Sequence, residues 1–270
     1  MKHNRKAAVS GYFYPDNPTT LKSSIVNYLS LSQRESSDTV RMLIVPHAGY
    51  TYSGKIAAES YSEITTDNFN HIILLGPSHR YSFKGVCGTD VKNWESPLGM
   101  IKIKSLNDKG ITINSDYHAN EHSLEVQIPF LKFLLPEAVL TPLLLSGPCN
   151  LAQKIANQLI SLDAEDVLWV ISSDFNHVGP NFHYYPDDHN FESGEKLDFL
   201  ALKHIVSGNI NDFQSYLSQY SATICGALPI LVGMYLREKI GLPNFTLKNY
   251  DCSGNQTNDI NSVGYGSLYC

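Results

Sequence analysis

Leu43-Ile44-Val45-Pro46-His47-Ala48-Gly49-Tyr50 is the stretch that decides the fold. Met42 to Val45 is an uninterrupted apolar run, the pattern of a strand buried on both faces, and it stops at Pro46 because proline gives a sheet no donor. A histidine follows at once, then a glycine, then Ser53 as a candidate N-cap for a helix carrying Ile56, Ala57, Tyr61 and Ile64 on one side. A titratable ring is therefore held where a core strand turns into a helix, the edge at which open α/β sheets bind ligands.

The same grammar returns in His71-Ile72-Ile73-Leu74-Leu75 followed by Gly76-Pro77-Ser78-His79. Two strand–loop–histidine units joined by one helix make a βαβ pattern, which predicts adjacent parallel strands with both histidines at one edge. Val167-Leu168-Trp169-Val170-Ile171 is a third such run, ending Ser172-Ser173-Asp174-Phe175-Asn176-His177. Val139 to Leu145 and the final runs Phe245–Tyr250 and Val263–Leu268 add strands, and shorter ones at Val86–Gly88 and Met100–Ile103 flank a loop with Trp94, Pro97 and Gly99. Helical spacing marks Thr19–Leu31, Leu124–Leu135 with a late start or kink at Pro129, Leu151–Leu162, a pair of helices broken near Gly208, and a long helix after Gly226. No repeat or linker divides the chain. The expected fold is a single α/β domain, residues 1–270, with a central, mostly parallel or mixed sheet between helical layers.

Composition narrows the function. A formal charge of −6 and a pI near 5.9 leave no basic field for nucleic acid or an anionic membrane. No apolar run reaches membrane-spanning length, and Ala7-Ala8-Val9 is too short for a signal h-region. Five cysteines without a C-x-x-C pair argue against a disulfide framework, so a cytoplasmic protein is expected.

His47 and His79 are natural ligands for a divalent transition metal, which a third acidic or thiolate group would complete. Hydrogen-bonded strand ends are the blander reading of each, but a repeated pair favours the site. Asp174 and His177, three apart after a strand, read equally as ligand or acid–base pair and as a turn with an exposed imidazole. Cys225, just before a helix, is placed for a thiolate that binds metal or attacks a substrate, or else is a small buried residue. Glu121-His122, at another helix start, supplies a candidate acid or base, with simple helix-end electrostatics as the alternative. His183 to His189 reads as a surface loop, and the aromatic segment Val9 to Pro15 as packing.

Taken together, Ser10-Gly11-Tyr12-Phe13-Tyr14-Pro15, Pro46-His47-Ala48-Gly49-Tyr50, Gly76-Pro77-Ser78-His79, Glu121-His122-Ser123-Leu124-Glu125, Ser172 to His177 and Thr223-Ile224-Cys225-Gly226 resemble the Memo family. In bacteria and archaea the same family is called AmmeMemoRadiSam system protein B. The resemblance runs from about Arg5 to the C-terminus, departing after Cys225-Gly226, where Ala227 and Leu228 replace polar or basic residues. It implies a fold related to class III extradiol dioxygenases, and a metal set of His47, His79 and Cys225 with Asp174 and His177 lining the pocket. The expected function is that of an iron- or copper-dependent, dioxygenase-like oxidoreductase acting on a small molecule. The alternatives are a non-catalytic module for a peptide or protein partner, and a metal-free enzyme with Cys225 as nucleophile.

Overall fold

The long apolar runs become the parallel centre of one large sheet. The computed structural model describes residues 4–106, 110–257 and 259–270. The chain begins with β1 (Asn4–Arg5), α1 (Pro18–Ser30), β2 (Met42–Val45), α2 (Tyr50–Tyr61) and β3 (His71–Pro77). β4 (Gly85–Gly88), β5 (Asn93–Ser96), β6 (Gly99–Ile103) and β7 (Thr112–Ile113) follow, then α3 (Ser115–Ala119), α4 (His122–Glu125) and α5 (Ile128–Leu134). The second half runs β8 (Val139–Ser146), α6 (Ala152–Leu159), β9 (Val167–Ser172), β10 (His177–Val178), α7 (Gly194–Val206), α8 (Ile210–Gln219) and α9 (Ala227–Ile240). It closes with β11 (Thr246–Cys252), α10 (Ser253–Thr257) and β12 (Ser262–Tyr269).

β6, β8, β3, β9 and β2 lie side by side and all parallel. β12 joins β2 antiparallel and carries β11 and β10, both antiparallel to it. At the other end β5 pairs antiparallel with β6, while β4 pairs antiparallel with β8. The sheet is thus mixed around a parallel core, and the protein is a single α/β domain as the sequence predicts. One expectation fails: β2 and β3 are not adjacent, because β9 runs between them and pairs with both. A βαβ unit fixes parallel direction but leaves room for a later strand to insert.

Alternate residues of each central strand face opposite layers. Ile73 and Leu75 join Met42, Ile44, Trp169 and Ile171 in a core covered by α6 to α9, whereas Ile72 and Leu74 join Leu43, Val45 and Val170 beneath α1, α2 and α5. Burial on both faces is why these strands read as continuous apolar runs.

Two local expectations need correction. α2 starts at Tyr50 with Gly49 as its cap, and Ser53 instead donates its hydroxyl to Ala48 O at 3.0 Å. Trp94 lies in β5, not in a loop; a lone buried aromatic among polar neighbours gives no periodic signal. The Leu124–Leu135 pattern shows the late start expected at Pro129: α4 ends at Glu125, and α5 begins at Ile128 with the proline in its first turn.

Candidate metal centre

Strand register builds the site. Val45 pairs with Ser172, so His47 and Asp174 emerge side by side just beyond the strand ends. The His47 backbone N–H donates to Asp174 Oδ1 at 2.7 Å. His79 follows the end of β3 on the far side of β9. Glu121 and His122 are brought over it because Gly76 lets α4 approach: a Cβ there would lie 2.6 Å from Leu124 Cδ2. Ser123 secures the contact by donating its hydroxyl to Pro77 O at 2.7 Å. Gly226 does the same for Cys225, since a Cβ at that position would meet Ser173 Cβ at 2.4 Å.

Three imidazoles converge. His47, His79 and His122 each offer a ring nitrogen within 4.8 Å of the others. Their ring centroids are 5.3 Å apart for His47–His79, 5.4 Å for His47–His122 and 4.5 Å for the stacked His79–His122 pair. Behind the last two sits buried Glu121. Its Oε1 accepts from His79 Nδ1 at 3.0 Å and lies 3.3 Å from His122 Nδ1, and its Oε2 accepts the His79 backbone N–H at 2.7 Å. Burial opposes the charge on Glu121, yet the His79 contacts and the Ser123 N–H outweigh it and hold the carboxyl down at about 2. An ionised carboxylate only accepts, so His79 carries a proton on Nδ1, which in the neutral ring leaves Nε2 as the nitrogen with the lone pair.

Burial pushes the His47 pKa far below its ordinary value, and the neighbouring imidazoles push the same way. Burial, then the charge of His79, brings His122 down to about 4. Both rings are therefore neutral at pH 7, the form that binds metal. Three imidazoles with a carboxylate behind two of them fit a first-row transition metal, and the carboxylate–histidine arrangement is the usual support of such ligands.

Cys225 stands beside this cluster. Its Sγ lies 3.2 Å from His47 Nε2 and accepts the Asp174 N–H at 3.3 Å. Burial, reinforced by the nearby Asp174 carboxyl, pushes the thiol pKa well up, so the preceding-helix argument for a thiolate does not hold in the metal-free chain. α9 begins only at Ala227, and desolvation of the charge exceeds what a helix end returns. Asp174 is itself raised to about 7 by burial, opposed by the N–H groups of His47 and Ala48.

His177 is half-buried at the start of β10, its pKa lowered by burial. Nδ1 faces two carbonyls, Phe175 O at 3.0 Å and Thr223 O at 3.1 Å, so it must carry the hydrogen and Nε2 is left as an acceptor. Thr223 and Asn176 fix the ring's position: His177 N donates to Thr223 Oγ1 at 2.9 Å, and Thr223 N donates to Asn176 Oδ1 at 2.8 Å.

Sequence reasoning listed His122 with the proton carriers; the fold places its ring inside the imidazole cluster. It passed over Gln127, whose one signal was a polar side chain between Val126 and Ile128 in an apolar stretch. The aromatic N-terminal segment does pack, but Phe13 packs on His122 with ring centroids 4.9 Å apart.

Fold and site together define an α/β protein in which two parallel strands and a short helix bring three imidazoles, two of them backed by a carboxylate, to one sheet edge. The profile of Memo-like proteins matches residues 5–269. MEMO1 family proteins of Thermoplasma volcanium and Ignicoccus hospitalis are 34% and 31% identical, each over 98% of this chain and 97% of the relative. A MEMO1 family protein of Nitrosopumilus maritimus is 30% identical over 98% of both chains. The chain belongs to the Memo-like protein family. Among the described residues no helix is long and apolar enough to cross a membrane, and all five cysteines are free.

Proposed function

We propose that this Memo-like protein is a metal-dependent oxidoreductase of the reducing cytoplasm, holding one iron or copper ion on His47, His79 and His122 and acting on a small molecule. The observation that carries the reading is the donor set: three converging imidazoles, two of them backed by an ionised Glu121. When bound, the metal supplies Lewis acidity and one-electron chemistry. The chain's own residues orient and move protons. Glu121 has no proton to give, so it orients His79 and His122 and is not an acid. Asp174 holds the His47 backbone, and His177, with Nε2 free, accepts a proton from substrate. The choice of iron or copper follows the family resemblance; imidazole donors alone also suit zinc and nickel.

A second ligand set, with Cys225 in place of His122, is favoured by the 3.2 Å approach of Sγ to His47 Nε2. A metal would displace the thiol proton on binding. The high thiol pKa counts against a metal-free nucleophile, which needs thiolate at neutral pH.

Metal content measured by mass spectrometry on anaerobically purified, tag-free protein tests the proposal. About one iron or copper per chain is expected, lost in His47→Ala and His79→Ala. Loss in His122→Phe with retention in Cys225→Ser supports the three-histidine set, and the reverse supports the cysteine set. Metal no higher in the wild type than in His47→Ala would overturn both and favour a binding module for a peptide or small molecule.

A further inference from the structure

We infer that the Ser172 hydroxyl sets the tautomer of His47, and thereby decides whether the nitrogen facing the metal position, Nε2, offers a lone pair. The inference deepens the metal reading, but its core concerns the metal-free chain. Ser172 Oγ lies 2.6 Å from Ser123 O, 2.9 Å from Gln127 Nε2 and 2.9 Å from His47 Nδ1. A carbonyl oxygen only accepts, so the single hydroxyl proton goes to Ser123 O. Two lone pairs remain on Oγ, and both neighbours must fill them as donors.

The Gln127 amide is oriented without ambiguity. Its Nε2 donates to Pro46 O at 2.8 Å as well as to Ser172, and its Oε1 accepts from Tyr61 O–H at 2.9 Å. Flipping the amide would set its oxygen against Pro46 O. The last free lone pair on Ser172 therefore demands an N–H from His47 Nδ1, and Nε2 is left bare towards the site. On the other side the Cys225 thiol lies 3.2 Å from Nε2 and 3.6 Å from Asp174 O, so its one proton goes to one of these two acceptors, the nearer of which is Nε2. Ser123, Gln127, Ser172 and Tyr61 show no exposure, and His47 only 1%. Bulk water does not reach these groups, so their hydrogen-bond partners are one another. Ser172 touches no substrate; it is a positioning residue.

Long-range nitrogen–proton NMR of imidazole rings in the metal-free protein, with His47→Gln for assignment, reads the tautomer directly. The wild type is expected to show His47 protonated at Nδ1. Ser172→Ala removes the hydroxyl acceptor, leaving the Ser172 backbone as the ring's remaining neighbour, and is expected to release part of His47 into the Nε2–H form. Gln127→Met removes a buried amide from the same network but leaves Ser172 oriented by Ser123 O, so His47 is expected to stay Nδ1–H. That contrast separates tautomer control from general loosening. Zinc(II), a redox-silent probe, is expected to bind Ser172→Ala about 10–100-fold more weakly than wild type. A wild-type His47 carrying its proton on Nε2 would overturn the inference whether or not any variant folds. So would a folded Ser172→Ala whose His47 remains wholly Nδ1–H. The two readings fail separately: absence of metal binding in the wild type sinks the metal centre, while the tautomer spectra judge Ser172 alone.

Discussion

Glu121 shows how much one side chain does at this edge. It caps α4 through the Ser123 N–H at 3.0 Å, accepts the backbone N–H of His79 at 2.7 Å, and reaches the Nδ1 atoms of two imidazoles. Glu121→Gln keeps its shape but replaces one acceptor oxygen by an NH2 group, which must then face a donor. The expected outcome is a fall of about 10–100-fold in metal affinity with little change of fold. Calorimetric titration with zinc checks it, and an unchanged affinity would remove Glu121 from the site's support. The residue was legible in the sequence as a candidate beside His122, but as a proton carrier. Its role follows from contacts with His79, which is distant along the chain.

At the scale of elements, the site depends on α4 lying hard against β3. Gly76 makes that approach possible, and Arg5 ties it from outside. The Arg5 guanidinium pairs with Glu125 at 2.7 Å, donates to Glu121 O at 2.8 Å and stacks over Trp94. Glu125 in turn accepts from the N–H groups of Ala8 and Val9 and from Tyr14 O–H at 2.7 Å, which fixes the segment that carries Phe13 onto His122. Gly76→Ala is expected to destabilise the protein by about 1–3 kcal/mol through overpacking. It should also weaken metal binding, because relief of the clash lifts Glu121 and His122 together. Urea unfolding and zinc titration of the same variant test both parts; a loss of stability with unchanged affinity would show that the clash is relieved without displacing Glu121 and His122. Helices and strands were readable from periodicity, but this close packing was not, since a glycine before proline reads simply as a strand end.

Over the whole molecule the buried ionisable groups give a pH signature. Burial holds His71, His118 and His122 down at about 4, against an ordinary value of 6.5, and lowers His47 and His177 as well. Between those values the unfolded chain binds protons that the folded chain does not, so these groups make stability fall as pH drops from 6.5 towards 4. Asp174 and Asp198, both raised by burial to about 7, bind protons in the folded state and pull the other way. Five lowered imidazoles outnumber two raised carboxyls, and the metal-free protein is expected to lose about 1–4 kcal/mol per pH unit below pH 6. Urea midpoints at pH 7 and pH 5 measure it, and equal midpoints would show that the carboxyls cancel the imidazoles. The sequence by itself determined the parallel core, the strand ends and the presence of histidines there, because double-sided burial and proline breaks are local patterns. Only the tertiary structure decided that β9 separates β2 from β3, that His122 joins the cluster, that Cys225 is held as a thiol, and which nitrogen each ring presents. Those features depend on lone pairs, desolvation and close approach between residues far apart in the chain, and no spacing along a sequence encodes them.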